Sequence, residues 1–363
     1  MPVLQVLAFA AGAVIVVYTG SAALRTVVLP RASSTMINRV VFITMRKVFN
    51  VFAHEGRTYE QRDRVNAIYG PLCLVLLPFV WISLMIIGFT LMMWGLNVQP
   101  LRQAFILSGS SIFTLGFALP HDLPVDLLVF LEAMIGLGLV ALLISYLPSI
   151  YGAFARREQL VGGLETRAGN PPSAGQLLSR YAQIGGMDMV DDELFRRWEQ
   201  WFIDVEESHI SFAALVYFRS PQPERSWITA AGCVLDTASV LLAAVDRPRS
   251  GHAQILIRTG YLCLRRLCDY FGIRYDPNPR PDDPISVTRR EFDLVLVELE
   301  AAGVPLKPDR DQAWRDFAGW RVNYDRPLTS LAALVFAPPA PWSSDRGVVA
   351  PRPKLFRRSR RAA

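Results

Sequence analysis

The sequence has few cysteines for its 363 residues, and their positions follow no known pattern. A disulfide-stapled extracellular domain carries an even framework of cysteines, and a structural zinc site needs closely spaced pairs. Neither arrangement occurs here, so the thiols are expected to be buried and reduced, as in a cytosolic compartment. The four residues are Cys73, Cys233, Cys263 and Cys268.

Motifs of soluble enzymes are also missing from the chain. It has no Walker loop, no dinucleotide fingerprint in a strand-turn-helix context, and no arrangement of nucleophile, base and acid. His209 lies near Glu206 and Glu207, but no second set of metal ligands accompanies it, which favours a solvated helical face. The chain is therefore predicted not to be an enzyme.

Charge is scarce in the first 155 residues, whereas the remainder carries most of it and is typical of a soluble domain. Three apolar runs are long enough to cross a bilayer core of roughly 30 Å. No basic region precedes the first run, which is also too long for a signal-peptide core. The runs cover residues 3–29, 65–96 and 124–155.

The net charge of +6 is concentrated beside the apolar runs and in the tail. Charge placed there is more typical of membrane orientation than of nucleic-acid binding, so no nucleic acid is expected as a partner. Residues 30–64 have a basic excess, which predicts a cytoplasmic loop. Arg156 and Arg157 follow the third run directly. These positions predict three spans, with the amino terminus outside and the carboxyl terminus in the cytoplasm.

Within this basic loop, residues 37–52 combine a strongly apolar face with basic residues. Such a helix lies in the membrane interface or packs as a cytosolic cuff on the spans. The pattern favours the two alternatives about equally.

The segment between the second and third runs is too polar and too rich in glycine, at residues 108–120, to be another lipid-facing helix. Pro100 is expected to start a short helix that runs to about Ile112, since proline is favoured in a first helical turn. Irregular backbone is tolerated at membrane depth only where protein buries it or water lines it. The segment is therefore predicted to form a re-entrant pore loop. The alternatives are an external connection or part of a packed, non-conducting bundle.

The core of this loop, Thr114-Leu115-Gly116-Phe117-Ala118, resembles the Thr-Val-Gly-Tyr-Gly filter of potassium channels. The order of outer helix, loop and inner helix is similar to that of bacterial two-span potassium channels. The whole chain resembles an actinobacterial group of channel-like proteins with an additional first span and a helical cytoplasmic domain.

The resemblance implies a symmetric homotetramer in the bacterial plasma membrane. The backbone carbonyls of the five core residues would line the pore and replace the hydration shell of a permeating monovalent cation. Potassium is the expected ion, and no other cofactor is implied.

The loop departs from that filter at positions that bear on selectivity. Ala118 replaces the second glycine, where a residue with a Cβ costs on the order of 1 kcal/mol if the backbone is left-handed. Leu119 replaces the acid that follows, and Phe117 lacks the tyrosine hydroxyl. A less selective or non-conducting pore is thus an alternative to a selective one.

Acidic residues flank the loop. Glu132 lies inside the third run, where a carboxyl group is costly, so it is expected to brace the filter through a hydroxyl of residues 108–111, Ser111 included. An ion-binding ring is the alternative. Asp122 and Asp126 are candidates for the outer mouth, although Asp126 equally fits the acid favoured at a helix N-terminus.

Gly136, Gly138 and Pro148 in the third run are candidates for a gating hinge. Glycine lets a helix flex or lets neighbours approach closely, and proline is expected to kink the cytoplasmic half. The leading hypothesis is a cation channel gated by this helix and coupled to the cytosolic domain. The alternative is a non-conducting scaffold or sensor whose cytosolic domain binds a partner.

The second half of the chain has helical periodicity nearly throughout, after turn-forming residues at 165–175. Thr288 and Glu291 are spaced as in a capping box. The aromatic residues Trp198, Trp201 and Phe202 have the spacing of a hydrophobic core rather than of a ligand cage. The predicted helices cover residues 174–184, 191–218, 227–245, 252–271, 288–302 and 309–336.

The predicted fold is all-α: a membrane protein with three transmembrane helices and a re-entrant pore loop, followed by a helical cytosolic domain. The basic tail either contacts anionic lipid, at about 1 kcal/mol per basic residue, or only aids solubility. The predicted organisation is an N-terminal span with its basic helix (1–64), a pore domain (65–160), a linker (161–175), a helical cytosolic domain (176–342) and a basic disordered tail (343–363).

Overall fold

The computed structural model describes residues 2–27, 35–52, 59–120 and 122–347, and the described chain is helical with no β-strand. Most of the predicted basic tail and part of the predicted cytoplasmic loop lie outside the described residues. The chain divides into two compact units, Met1–Phe52 with Ile68–Gly152, and Ala53–Ala67 with Ala153–Ala363.

The first unit is built from long apolar helices and one short helix. Each apolar run of the sequence forms a helix, because a continuous apolar surface can be covered by lipid or by neighbouring helices while the backbone bonds are satisfied internally. The helices that contribute to this unit are α1 (Pro2–Val27), α2 (Met36–Phe52), α3 (Tyr59–Gly95), α4 (Leu101–Ile112) and α5 (Leu123–Ala168).

The amphipathic helix α2 packs against α3. The rings of Phe49 and Tyr69 lie 5.5 Å apart, and the Tyr69 hydroxyl donates to the Phe42 carbonyl at 3.0 Å. Arg46 lies over the same tyrosine ring, 5.5 Å from its centroid. The apolar side of α2 is thus partly covered by protein.

Helices α1 and α3 approach each other at two glycines. A β-carbon on Gly12 would lie 2.4 Å from the carbonyl oxygen of Gly88, and one on Gly88 would lie 3.0 Å from that of Gly12. Small residues allow this approach, which is typical of helices packed in a membrane. Val16 and Phe89 are buried beside the contact.

Within the described ranges of the chain, four helices are long and apolar enough to cross a membrane: Val3–Val27, Tyr59–Gly95, Leu123–Ala168 and Trp227–Ala244. The last of these differs from the others, because 94% of its most apolar stretch is buried inside the protein. It therefore has the surroundings of a core helix. The other three leave most of their apolar stretches uncovered, as expected of helices that face lipid.

The second unit is a helical bundle around the buried helix Trp227–Ala244. The three aromatic residues predicted to be core, Trp198, Trp201 and Phe202, are buried as expected. Its helices are α6 (Ala174–Gln183), α7 (Met187–Met189), α8 (Arg196–Ser211), α9 (Trp227–Ala244), α10 (Gly251–Phe271), α11 (Arg289–Ala301), α12 (Arg310–Arg321) and α13 (Asp325–Val335).

Two local predictions are confirmed. The Thr288 side chain accepts from the Glu291 backbone while the Glu291 carboxylate accepts from the Thr288 backbone, which forms the capping box at the start of α11. All four cysteines are buried free thiols.

The predicted linker was placed too early. Residues 161–168 are the end of α5, and the helix stops at Gly169, whose φ of +78° is left-handed. Glycine adopts this conformation without the steric cost of a Cβ, so Gly169 is the true end signal.

The predicted helix 309–336 is two helices. A proline in a helix interior clashes with the carbonyl four residues earlier and lacks the N–H of a helical bond. Pro327 would meet Asn323 in this way, and the chain breaks between Arg321 and Asp325. Pro327 then lies in the first turn of α13, where proline is tolerated.

The predicted helix 191–218 is also interrupted. It begins as a π-helical turn at Val190–Phe195, continues as α8, and ends in a 3-10 turn at Ala213–Tyr217. The carbonyls of Leu215 and Phe218 accept from the Arg157 guanidinium at 2.9 and 2.7 Å. These bonds join the segment that follows α8 to Arg157 of α5.

His209 is buried, and its predicted location on a solvated face is wrong. Its Nε2 lies 3.1 Å from Arg157 Nη1, and its Nδ1 lies 3.1 Å from the Ser208 hydroxyl. Arginine only donates, so Nε2 must accept and the ring is neutral. Burial, and then the Arg157 charge, hold the pKa of His209 well below its usual range. Its spacing from Phe202 and Val205 continues the apolar side of α8, a signal present in the sequence.

This burial predicts acid sensitivity of the second unit. Below the unfolded-state pKa of about 6.5, the unfolded chain binds a proton that folded His209 excludes, so stability is full above that pH and falls below it. We expect H209Q to reduce the slope of unfolding free energy against pH, by up to about 1.4 kcal/mol per pH unit, between pH 5 and 6.5. Denaturant unfolding followed by tryptophan fluorescence measures the slope. Equal slopes for the wild type and H209Q between pH 5 and 6.5 would contradict the prediction. Above pH 7.5, the difference in unfolding free energy between the two proteins should not change with pH.

Candidate functional site: the loop between α4 and α5

The candidate site begins at the carboxyl end of α4. This helix covers Leu101–Ile112, so it begins one residue after Pro100, which is its extended N-cap, and ends at the predicted Ile112. Residues 113–120 then form no regular structure. The last turns of α4 contain serines, which are unusual in an otherwise apolar helix and are buried. They are Ser108, Ser110 and Ser111.

Ser108 contacts a carboxyl group in α5. Its hydroxyl donates to Glu132 Oε1 at 2.6 Å, and both side chains are 0% exposed. The hydroxyl also lies 3.2 Å from the Ile86 carbonyl of α3. Among the described residues, Glu132 Oε2 has no hydrogen-bond partner. The pair joins α4 to α5 directly behind the loop, and Ser108 is one of the hydroxyl partners expected for Glu132.

The other two serines fasten the loop itself. The Ser111 hydroxyl donates to the Val129 carbonyl of α5 at 2.7 Å. Ser110 accepts from the Ala118 backbone N–H through its hydroxyl at 3.3 Å, and its carbonyl accepts from the Leu115 N–H at 2.8 Å. The loop is therefore bonded to α4 at Leu115 and Ala118, and Ser111 joins the end of α4 to α5.

The backbone of the loop is left-handed at Thr114 (φ +54°) and Gly116 (φ +70°). A positive φ is uncommon for a residue with a side chain. Ala118 does not have a positive φ, so the replacement of glycine at this position does not carry the expected strain. Ala118 instead packs against the small apolar cluster that contains Ala104 and Val125.

Residues 113–117 are exposed in the single chain. Leu115 is 61% exposed, Phe117 66% and Leu119 76%. Large apolar side chains so close together are rarely left uncovered in a monomeric soluble protein and mark a surface that another molecule or lipid covers. The loop core is thus bonded to α4 through Ser110, while its side chains are exposed among the described residues.

The other predicted site residues lie along α5. Asp122 is exposed just before the helix, and Asp126 lies in its first turn, where an acid is favoured by the helix dipole. Pro148 lies within the continuous helix.

The two candidate hinge glycines have different surroundings. A β-carbon on Gly136 would lie 2.1 Å from the carbonyl oxygen of Ile112, at the end of α4, whereas one on Gly138 would meet nothing within 4 Å. Gly136 thus allows α5 to approach the base of the loop.

Sequence reasoning did not identify the Ser110–Ala118 bond or the contact between Gly136 and Ile112. The serine-rich end of α4 was a usable signal, because residues three positions apart share a helix face. The contact of a glycine with a carbonyl on another helix has no sequence signal. Comparisons with protein-family models, curated proteins and solved structures give no match for this chain.

Proposed function

We propose that the chain forms a cation channel as an assembly of several copies, most simply four, around the loop of residues 113–120. Helices α1, α3 and α5 would cross the membrane, with the amino terminus outside and the carboxyl terminus in the cytoplasm. The permeating ion would be a monovalent cation, with potassium the first candidate.

One observation carries the proposal: an irregular, exposed loop lies between two long apolar helices. Ser110 bonds it to α4, and α4 is joined to α5 by the Ser108–Glu132 and Ser111–Val129 bonds. Backbone carbonyls in such a loop can replace the water around a cation. Open backbone of this kind is stable within a membrane only when further protein or water covers it. Several copies around one axis would supply both the covering protein and a water-filled path for the ion.

A face of α5 supports the same arrangement. Its exposed apolar residues recur at helical spacing, so they form a stripe suited to lipid or to neighbouring copies. They are Leu123, Leu127, Phe130, Leu131, Met134, Leu137, Val140 and Ile144.

The test is cation flux through the purified protein in liposomes and planar bilayers, after its oligomeric mass has been measured. We expect a tetramer that carries a potassium current. Gly116→Ala should strongly reduce this current, because alanine at a φ of +70° costs on the order of 1 kcal/mol and redirects the adjacent carbonyls. Gly109→Ala is the matched control, since a β-carbon at this helical glycine meets nothing within 4 Å.

A tetramer without cation current would overturn the channel proposal. It would leave the alternative of a channel-like membrane scaffold or sensor that binds a partner through its second unit. Equal currents in wild type and Gly116→Ala would show that residues 114–118 do not shape the ion path.

A further inference from the structure

The second unit contains a cavity of about 230 Å³ that the channel proposal does not use. One wall is the first two turns of α3, and the facing wall is α13 and the residues that follow it. Arg219 lies between these walls, where its guanidinium pairs with Asp63 and donates to the Phe336 carbonyl at 2.9 Å.

Two polar side chains on the α3 wall have no partner. Arg62 and Asn66 both line the cavity and are four positions apart, which places them on the same helix face. Among the described residues, neither forms a hydrogen bond or an ion pair. Both are only partly exposed. Five guanidinium N–H groups and one amide are therefore available to a ligand.

The remaining charges around the cavity are already matched. Arg219 pairs with Asp63, and Arg346 pairs with Glu291 and Asp345. The three arginines and the three carboxylates therefore balance in number, but Arg62 contacts none of these acids and its donors are not engaged by them. Guanidinium groups bind carboxylates and phosphates through paired hydrogen bonds, so the favoured ligand group is an anion of this kind.

The facing wall is mainly apolar. Its alanines have short side chains, so they do not fill the space opposite α3. The hydroxyls of Ser343 and Ser344 donate to backbone carbonyls and retain acceptor capacity only. The cavity is smaller than the roughly 300–1,000 Å³ of sites for drug-sized ligands, so its ligand must be smaller too. The apolar lining residues are Ala332, Ala333, Phe336, Ala337 and Pro339.

The backbone after α13 is left-handed at two bulky residues, of which Phe336 lines the cavity and Trp342 does not. Phe336 and Trp342 have φ values of +51° and +60°, in the left-handed region that large side chains rarely adopt. Strain of this kind, at a cost of order 1–3 kcal/mol each, concentrates at ligand sites and switches. The stretch 336–342 is thus held in a shape that its local sequence does not favour.

We propose that this cavity binds a small organic anion: a phosphate or carboxylate group held by Arg62 and Asn66, with a short apolar body against the alanines of α13. A soluble metabolite and the headgroup region of an anionic lipid share this chemistry. The inference is independent of conduction, because binding is measured without a current.

The test is calorimetric titration of the purified full-length protein in detergent with butyl phosphate, compared with inorganic phosphate and with 1-butanol. We expect one saturable site per chain that binds butyl phosphate more tightly than either comparator. R62Q should weaken binding about tenfold or more, since hydrogen bonds between charged groups contribute roughly this much. R64Q is the matched control, because Arg64 is exposed on the same helix and does not line the cavity.

Two further variants keep the test decisive. Ala333→Phe should block butyl phosphate binding, because the larger side chain fills the space beside the apolar wall. If circular dichroism shows that R62Q does not fold, Asn66→Ala takes its place and should also weaken butyl phosphate binding. Competition by phosphatidic acid in nanodiscs would identify lipid as the source of the ligand, whereas titration unaffected by that lipid would identify a soluble anion. Absence of saturable butyl phosphate binding to the folded wild type, or equal affinities in R62Q and R64Q, would overturn the proposal.

Discussion

Replacing Arg321 with methionine should lower the free energy of unfolding of the second unit by about 3–5 kcal/mol. Arg321 is 0% exposed and pairs with Asp236 of α9 and, through Nε at 2.9 Å, with Asp325 of α13. Its guanidinium also donates to the Trp342 carbonyl. Methionine fills similar space but leaves both carboxylates without their positive partner and the Trp342 carbonyl without its donor. Removing one partner of a buried pair costs far more than the pair contributes.

The network extends beyond the ion pairs, which increases the expected effect. Tyr324 donates to Asp236 at 2.8 Å and lies 2.8 Å from the Ser239 hydroxyl. Asp325 accepts from the Ser286 hydroxyl at 2.6 Å. Four segments of the chain thus meet at one guanidinium, so its loss should loosen their packing together.

Urea unfolding followed by tryptophan fluorescence measures this effect. Arg310→Met is the control, because the Arg310–Glu300 pair is exposed and such pairs contribute about 0–1 kcal/mol. Adding Asp236→Asn to Arg321→Met should recover part of the loss, since it removes one buried charge without a partner. Equal unfolding curves for the Arg321 and Arg310 variants would show that the buried network contributes no more than a surface pair.

Gly136→Ala should displace the base of the loop and destabilise the first unit by about 1–3 kcal/mol or more, the usual cost of overpacking. The new methyl group would lie 2.1 Å from the Ile112 carbonyl oxygen, which belongs to the backbone and cannot rotate away. Relief requires α4 and α5 to separate. That movement would stretch the Ser111–Val129 bond of 2.7 Å, which holds the loop against α5.

Gly138→Ala provides the comparison within the same helix. A β-carbon there meets nothing within 4 Å, and alanine in place of a mid-helix glycine stabilises by roughly 0.5–1 kcal/mol. Thermal unfolding in detergent should therefore rank Gly138→Ala at or above wild type, with Gly136→Ala below it. Cation flux, where present, should fall only in the Gly136 variant. Similar melting temperatures for the two variants would remove the proposed role of Gly136 in close packing.

The sequence alone predicted the apolar helices of the first unit and many of the helices of the second. Long apolar runs, the periodicity around Trp198 and the Thr288–Glu291 spacing each depend on residues near each other in the chain. Local physics therefore determines them. The break before Pro327 was equally local and could have been predicted from the clash of proline with the preceding turn.

Features that depend on distant residues could not be predicted in the same way. Arg157 donates to carbonyls about sixty residues away, in the segment that follows the end of α8 at Ser211, and no local pattern shows that the two meet. The cavity beside Arg62 depends on alanines of α13. These alanines are distant from Arg62 in the chain, and no sequence pattern shows that the two segments meet. At the candidate site, a buried partner for Glu132 was foreseeable from the cost of a carboxyl group among apolar residues. Ion selectivity and the number of subunits remain predictions.

The open front of the loop has a consequence for biogenesis. Residues 113–117 are exposed within the described part of the chain, so under the proposed function a single inserted copy would carry an incomplete pore. Ser110 bonds the loop to α4, while the Ser108–Glu132 and Ser111–Val129 bonds join α4 to α5. In the proposed channel, the pore would be completed by assembly rather than by folding of one chain, so conduction would depend on how many copies share one membrane.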